Sequence, residues 1–339
     1  MGDIGGRITA WYAVAGRELP FRETRDPYRI WIAEVVFQQT RISQGLAYYH
    51  RFISRFPDVA TLAMAPIEDV LKHWEGLGYY SRARNLHAGA GQLMSQYGGV
   101  FPLDYREWLT IKGVGPYTAR AIGSFAFGNP VGVVDGNVMR VLSRVLGDMT
   151  PINQPAARTR FQAVVDTWVQ GEDSRAFNHG LMDIGAVICT PTQPGCLICP
   201  LESVCLARKE GMVHLLPHKT PKGTRKVRHF NFYLVCDGDA FMIRQRPARG
   251  LWGGLWEIPN AESPTPEDWH AQRSPYGGRW RGSLKHSFTH FDMMIHVYEI
   301  PAGDAPGDWS GLFINREKIP TFAFAKAVLN IFELTDQQA

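Results

Sequence analysis

Along the first two thirds of the chain, apolar positions recur at helical spacing and are interrupted by Pro, Gly and capping residues. Residues 1–19 read as a short amphipathic helix that stops at Pro20. Asp26-Pro27 is an N-cap and first-turn pair. It opens a helix through Tyr28, Ile30, Trp31, Val35 and Val36, in which Glu34 stands among apolar neighbours. Further helices are predicted over 43–56, 66–74 and 81–97, and near 136–146, 155–170 and 174–189. No stretch before Cys205 alternates for long as a strand would, so residues 1–207 are expected to form an all-α domain. From Phe230 the pattern becomes FNFYLVC, the turn Asp237-Gly238-Asp239, then AFMIRQR, a hairpin signature. More strands are expected around 279–300 and a closing helix over 323–334. A separate α/β domain, rich in β, is therefore expected over 230–339. Between the two, 208–229 holds seven Lys or Arg against one Glu, with Pro217 and Pro221, and reads as a basic linker.

The stretch from about 104 to 128 reads as helix, tight turn, helix. Asp104 caps a short helix through Ile111, Lys112-Gly113-Val114-Gly115 cannot continue it, and Pro116 suits the first turn of the next. Backbone N–H groups freed by Gly113 and Gly115 can form an anion nest that takes a phosphate. The same GVG also fits an ordinary turn between helices. A few residues on, Asp135-Gly136-Asn137 places a carboxylate at a helix start.

Composition narrows the class. A chain of 339 residues, 45% apolar and 20% charged, can build two domains around sizeable cores. No apolar run approaches a membrane span, so no membrane partner is expected. The opening MGDIGGRITAWYAV lacks the basic-then-apolar layout of a leader, which makes a cytoplasmic location the expectation. A net charge of +4 mildly favours a polyanionic partner. Cys189, Cys196, Cys199 and Cys205 follow C-x6-C-x2-C-x5-C, a density that argues for metal over disulfides. Two readings stay open, a zinc site and a [4Fe–4S] cluster. Zinc sites usually show two close pairs, whereas wide, unequal gaps suit the corners of a larger cube.

These pieces together resemble the endonuclease III superfamily of DNA glycosylases, and within it the MutY-type adenine DNA glycosylases. The resemblance lies in WIAEVVFQQT at 31–40, WEGLGYYSRARNLH at 74–87, GVGPYTA at 113–119, VDGNVMRVLSR at 134–144, GAVICTP at 185–191 and SFTH at 287–290. It implies a helix–hairpin–helix glycosylase fold of two helical subdomains with a cleft between, a [4Fe–4S] loop at 189–205, and a Nudix-like second domain. That domain carries no run of Glu and Arg on a helix for magnesium, so it is expected to recognise DNA, not to hydrolyse a nucleotide.

The implied substrate is duplex DNA with adenine opposite 8-oxoguanine or guanine, processed by a monomer. Breaking an N-glycosidic bond calls for one protonated and one ionised carboxyl. Burial among Trp31, Val35, Val36 and Phe37 suits Glu34 to be the acid, and Asp135 at a helix start suits the carboxylate. Taken alone, Glu34 reads equally as a buried ion-pair partner and Asp135 as a plain N-cap. By resemblance Tyr117, Asn137 and Arg22 support this pair. Tyr117 stands where lyase members carry Lys, and a phenol cannot form a Schiff base, so an abasic product with an intact strand is expected. Gln39, Leu77 and Tyr79 match residues that probe or wedge beside the opposite base, and Phe288, Thr289 and His290 match a Phe-Ser-His loop that senses the oxidised guanine. Thr289 keeps the hydroxyl and adds a methyl. The alternatives are an endonuclease III-like lyase on oxidised pyrimidines and a non-catalytic metal-cluster DNA-binding protein.

Overall fold

The computed structural model describes residues 3–221, 223–263 and 276–336. The chain forms two compact units, one from residues 1–63 and 88–222 and the other from residues 64–87 and 223–339.

The first unit is helical. It contains α1 (Ile4–Ala15), α2 (Pro27–Val36) and α3 (Ile42–Arg55); α4 (Val59–Met64) lies at its edge. After the first excursion of the chain into the other unit, it continues with α7 (Tyr105–Trp108), α8 (Pro116–Phe127), α9 (Gly136–Val145), α10 (Pro155–Trp168), α11 (Ser174–Asp183) and the short α12 (Leu206–Lys209). Aspartates start several of these helices by accepting backbone N–H bonds: Asp26 from Tyr28, Asp104 from Arg106, Asp135 from Val138 and Asp173 from Arg175 and Ala176. The core runs through α2, whose Ile30, Trp31, Ile32, Val35 and Val36 are buried, and α2 packs against α8. Small residues allow this helix to be approached closely. A Cβ on Gly123 would lie 2.6 Å from that of Tyr105, so glycine is what lets α7 close down on α8. The helix capped by Asp104 ends at Trp108, short of Ile111, and turns cover the rest.

The second unit is a sheet with helical cover. Its strands are β1 (Lys226–Asp237), β2 (Ala240–Gln245), β3 (Trp256–Glu257), β4 (Asn260–Glu262), β5 (Arg279–Ser287), β6 (Phe291–Pro301) and β7 (Leu312–Asn315). The order is β3-β2-β1-β6-β5, with β4 on β1 and β7 on β2. The central pair β1–β6 is parallel, from Lys226 beside Phe291 to Cys236 beside Pro301. Tyr233, Val235, Met242, Tyr298 and Ile300 form a core on this sheet, with Trp309 packed on it. A closing helix, α13 (Lys326–Asp336), packs on β5, where Gly282 would bring a Cβ to 3.1 Å from Leu334.

Two boundaries differ from those expected from the sequence. Residues 64–87, with α5 (Ile67–His73) and the start of α6 (Ser81–Tyr97), belong to the sheet unit. Lys72 Nζ donates to the Phe322 carbonyl at 2.8 Å, Tyr80 Oη to the Phe324 carbonyl at 3.1 Å, and the Phe324 N–H to Glu75 Oε1 at 2.8 Å. The linker is also shorter than 208–229. Leu216 is buried, Ile152 N–H donates to the His218 carbonyl at 2.9 Å, and Thr220 and Asn153 exchange two bonds, so this part is bound to the helical unit. Residues 226–229 are already strand β1.

Candidate active site and DNA-reading loops

A cleft of about 930 Å³ opens in the helical unit. Its walls include Arg22, Glu34, Gln39, Gly113, Gly115, Tyr117, Asp135 and Asn137, which brings together all five expected catalytic residues and part of the hairpin. Glu34 enters from α2, set deep in the protein but still reaching the cleft. Tyr117 comes from the first turn of α8, and Asp135 and Asn137 from the start of α9.

The two carboxyls differ in what holds them. Burial pushes Glu34 up to about 7, against a hydrogen bond from Tyr117 and the charge of Arg22, while Asp135 adds to the rise. Burial also raises Asp135. It is opposed by the Val138 N–H, donating to Oδ1 at 2.7 Å, by the Asn137 amide, donating to Oδ2 at 3.1 Å, and by Arg140. Burial and the two carboxyls push the Tyr117 phenol well above its ordinary range, so it stays protonated and can donate to Glu34. Arg140 Nη2 in turn donates to Asn137 Oδ1 at 2.9 Å and to the Gly185 carbonyl at 2.6 Å, and its Nε donates to the Cys189 carbonyl at 2.7 Å. The segment before Asp135 is pinned by Asn178, whose Oδ1 accepts from Val133 N–H at 2.8 Å.

Two residues of the site, Asp183 and His179, carry no role in the sequence reading. Asp183, fully buried on α11, accepts from Arg22 at 2.9 and 3.0 Å and from Arg17 at 2.6 Å. Burial opposes ionisation of Asp183, but the two guanidiniums hold it below the usual carboxylate range. This fork fixes Arg22 beside Glu34. His179, one turn earlier on the same helix, also lines the cleft. Burial, then Arg22, Arg175 and Arg17, push it well below the usual imidazole range, and it stays neutral. The spacing of Asn178, His179 and Asp183 along α11 was the available signal.

Gly113 (φ 82°) and Gly115 are exposed at the hairpin turn, while Val114 is buried beneath them. Gly115 caps α8 without a side chain, which leaves the first-turn N–H groups without a side-chain cap, as an anion site needs.

The remaining candidates gather in the sheet unit. Gly76 and Gly78 have positive φ, and Tyr79 follows at φ 46°, half exposed. Arg82 Nη2 donates to the Leu77 and Gly78 carbonyls at 3.3 Å, and Trp74 Nε1 to Gly78 at 3.1 Å. This turn meets the Phe288–His290 loop directly, because the Tyr79 and Thr289 hydroxyls are hydrogen-bonded. Phe288 stacks on Phe291 at 4.5 Å between ring centroids, which leaves Thr289 and His290 exposed.

The four expected cysteine ligands form no disulfides and are all partly exposed. Burial, with the neighbouring cysteines adding to it, pushes Cys199 up to about 11 against a Leu201 N–H, so the sulfurs lie within electrostatic reach of one another. Arg144 Nη1 lies 3.3 Å from Cys189 Sγ, and its carbonyl accepts from Cys205 Sγ at 3.5 Å. Among the described residues no three His, Cys, Asp or Glu side chains are grouped so as to hold a single metal ion. Four thiols on one short loop beside a guanidinium are nonetheless a donor set suited to a thiolate-bound, negatively charged cluster.

A hairpin turn open to phosphate beside a cleft with two unlike carboxyls defines a DNA glycosylase of the helix–hairpin–helix class. Residues 32–170 match the family model of the HhH-GPD superfamily of base excision DNA repair proteins, and residues 231–334 match that of the NUDIX domain. A solved thermostable thymine-DNA glycosylase superposes with a TM-score of 0.56 at 29% identity, covering 61% of this chain and 95% of that one. The adenine DNA glycosylase of Buchnera aphidicola subsp. Schizaphis graminum is 31% identical over 76% of this chain and 74% of its own. That of Homo sapiens is 29% identical over 98% of this chain and 74% of its own. The chain belongs to the adenine DNA glycosylase family.

Proposed function

We propose that this protein excises adenine from duplex DNA where it stands opposite 8-oxoguanine or guanine, and leaves an abasic site with the strand intact. The observation that carries the reading is Glu34, a carboxyl held near neutrality by burial, sharing one cleft with the amide-bound Asp135. Adenine must leave the stack to reach it. Glu34 then gives its proton to N7 of the base, and the C1′–N9 bond breaks with its electron pair going to the base. Asp135 stabilises the cationic sugar, and a water adds its hydroxyl to C1′ and returns its proton to Glu34, which closes the balance. Tyr117 holds Glu34 in place and offers no amine to attack the sugar.

Leu77 and Tyr79 would fill the gap left by the flipped base, and Thr289 would read the oxidised purine opposite. Cys189, Cys196, Cys199 and Cys205 would hold a [4Fe–4S] cluster, which would tie their loop to α9 through Arg144. Visible absorption from purified protein, lost in Cys199→Ser, is expected of that cluster; a colourless protein carrying zinc would exclude it.

The test is single-turnover reaction with a duplex carrying adenine opposite 8-oxoguanine, with and without later alkali. Strand breaks are expected only after alkali. Breaks before alkali would point to a lyase, and no breaks under either condition would exclude the enzyme.

A further inference from the structure

Three described residues other than glycine hold a left-handed backbone: Gln39 (φ 60°), Tyr79 (φ 46°) and Trp252 (φ 54°). Bulky side chains adopt it only where their surroundings force them to, and such positions concentrate in functional loops. Gln39 and Tyr79 already stand among the expected contacts to the opposite base. Trp252 does not, and nothing in its sequence setting marks it.

Its loop is clamped on both sides. Arg246 Nε donates to the Leu251 carbonyl at 2.7 Å and Arg84 Nη1 to the Gly253 carbonyl at 2.6 Å, both charge-assisted bonds. Gly254 N–H donates to Pro247 at 3.1 Å, and Leu255 N–H to Trp252 itself at 3.0 Å. A Cβ at Gly253 would lie 2.5 Å from the Ala248 carbonyl oxygen, so the loop closes on itself there too tightly for any residue but glycine. The clamped loop turns the indole toward the Phe288–His290 loop. Its ring lies 5.7 Å from Phe288 and 6.0 Å from His286, and His286 meets Phe288 edge-on at 4.8 Å. Trp252 therefore forms one wall of the seat of Phe288, the residue just before the exposed Thr289 hydroxyl. A residue that merely filled the core would be buried and would need no strained backbone; Trp252 keeps part of its surface open.

We propose that Trp252 is a positioning residue for recognition of the oxidised purine: by fixing Phe288 it sets where Thr289 meets the base opposite the excised adenine. This rests on the reading above that the Phe288–His290 loop senses that base.

The experiment measures single-turnover excision of adenine opposite 8-oxoguanine and opposite guanine by the full-length protein and its variants. Trp252→Leu is expected to lower the ratio of the two rates about tenfold, the worth of one aromatic contact. Trp252→Phe, a milder change should the leucine variant not fold, is expected to lower it about threefold. The rate opposite guanine and the melting temperature of each folded variant should stay near wild type. An unchanged ratio in the variants overturns the proposal, as does an equal fall on both substrates, which would mean a merely structural role. If the wild type itself shows no preference for 8-oxoguanine, the reading of the loop fails and the proposal falls with it. A wild-type preference that survives both substitutions overturns the proposal alone.

Discussion

Glu34 and Asp135 are both pushed toward protonation by burial, yet Asp135 is bound by backbone amides and Glu34 is bound by Tyr117. That inequality sets the pH dependence. Excision that needs Glu34 protonated should fall about tenfold per unit above about pH 7, read from single-turnover rates, and protonation of Asp135 should set a separate acid limb. The Tyr117 hydroxyl lowers the Glu34 pKa, so Tyr117→Phe should move that alkaline limb upward; a limb that moves downward or stays put would contradict the contact. Stability also falls as pH rises, but over a lower window. A carboxyl raised from 4.5 to about 7 in the folded state stabilises the fold fully below 4.5, and this contribution is lost as pH rises to about 7. Glu34→Gln has no such loss. It should abolish excision and, at pH 8, gain up to about 3 kcal/mol over wild type relative to the same comparison at pH 4. Parallel urea midpoints for the two proteins across that range would refute the assignment.

At the scale of the element, α9 joins the start of the site to the cysteine loop, and the turn after α11 is what it rests on. Residues 184–188 widen into a π-helix there, and a Cβ on Gly185 would lie 2.6 Å from that of Asn137. Gly185→Ala should therefore displace Asn137 and its bond to Asp135, costing about 1–3 kcal/mol by overpacking and slowing excision. Thermal melting and single-turnover rate should fall together; wild-type values for both would show that α9 can yield. The helices themselves were largely legible, because Asp26, Asp104 and Asp173 act within three residues of where they stand. Glu34, Tyr117 and Asp135 were legible through their motifs. Asp183 was not: its partners Arg17 and Arg22 lie far back along the chain, and an aspartate in a helix carries no local mark of two guanidiniums. The π-turn was equally hidden, since it answers to packing on Asn137 and not to any residue preference.

For the whole molecule, the sequence pattern showed where helix gives way to strand, but could not show that residues 64–87 leave one unit to serve the other. Their helical periodicity is the same whichever surface they cover, and the bonds from Lys72, Glu75, Tyr80 and Arg84 to loops of the sheet unit are long-range. The turn bearing Leu77 and Tyr79 should accordingly share the stability of the sheet. Val235→Ala, a cavity in the sheet core costing about 1–3 kcal/mol, should speed amide exchange in 67–84 about tenfold or more while leaving α2 and α8 unchanged. Exchange that rises in α2 as much as in 67–84 would deny this division.

The same threading fixes an order of events at the ribosome. Residues 64–87 are synthesised before any of the loops that Lys72, Glu75, Tyr80 and Arg84 bond to, at Gly253, Phe322 and Phe324, and those bonds must wait until the last quarter of the chain is made. The turn bearing Leu77 and Tyr79 is thus made early and completed late.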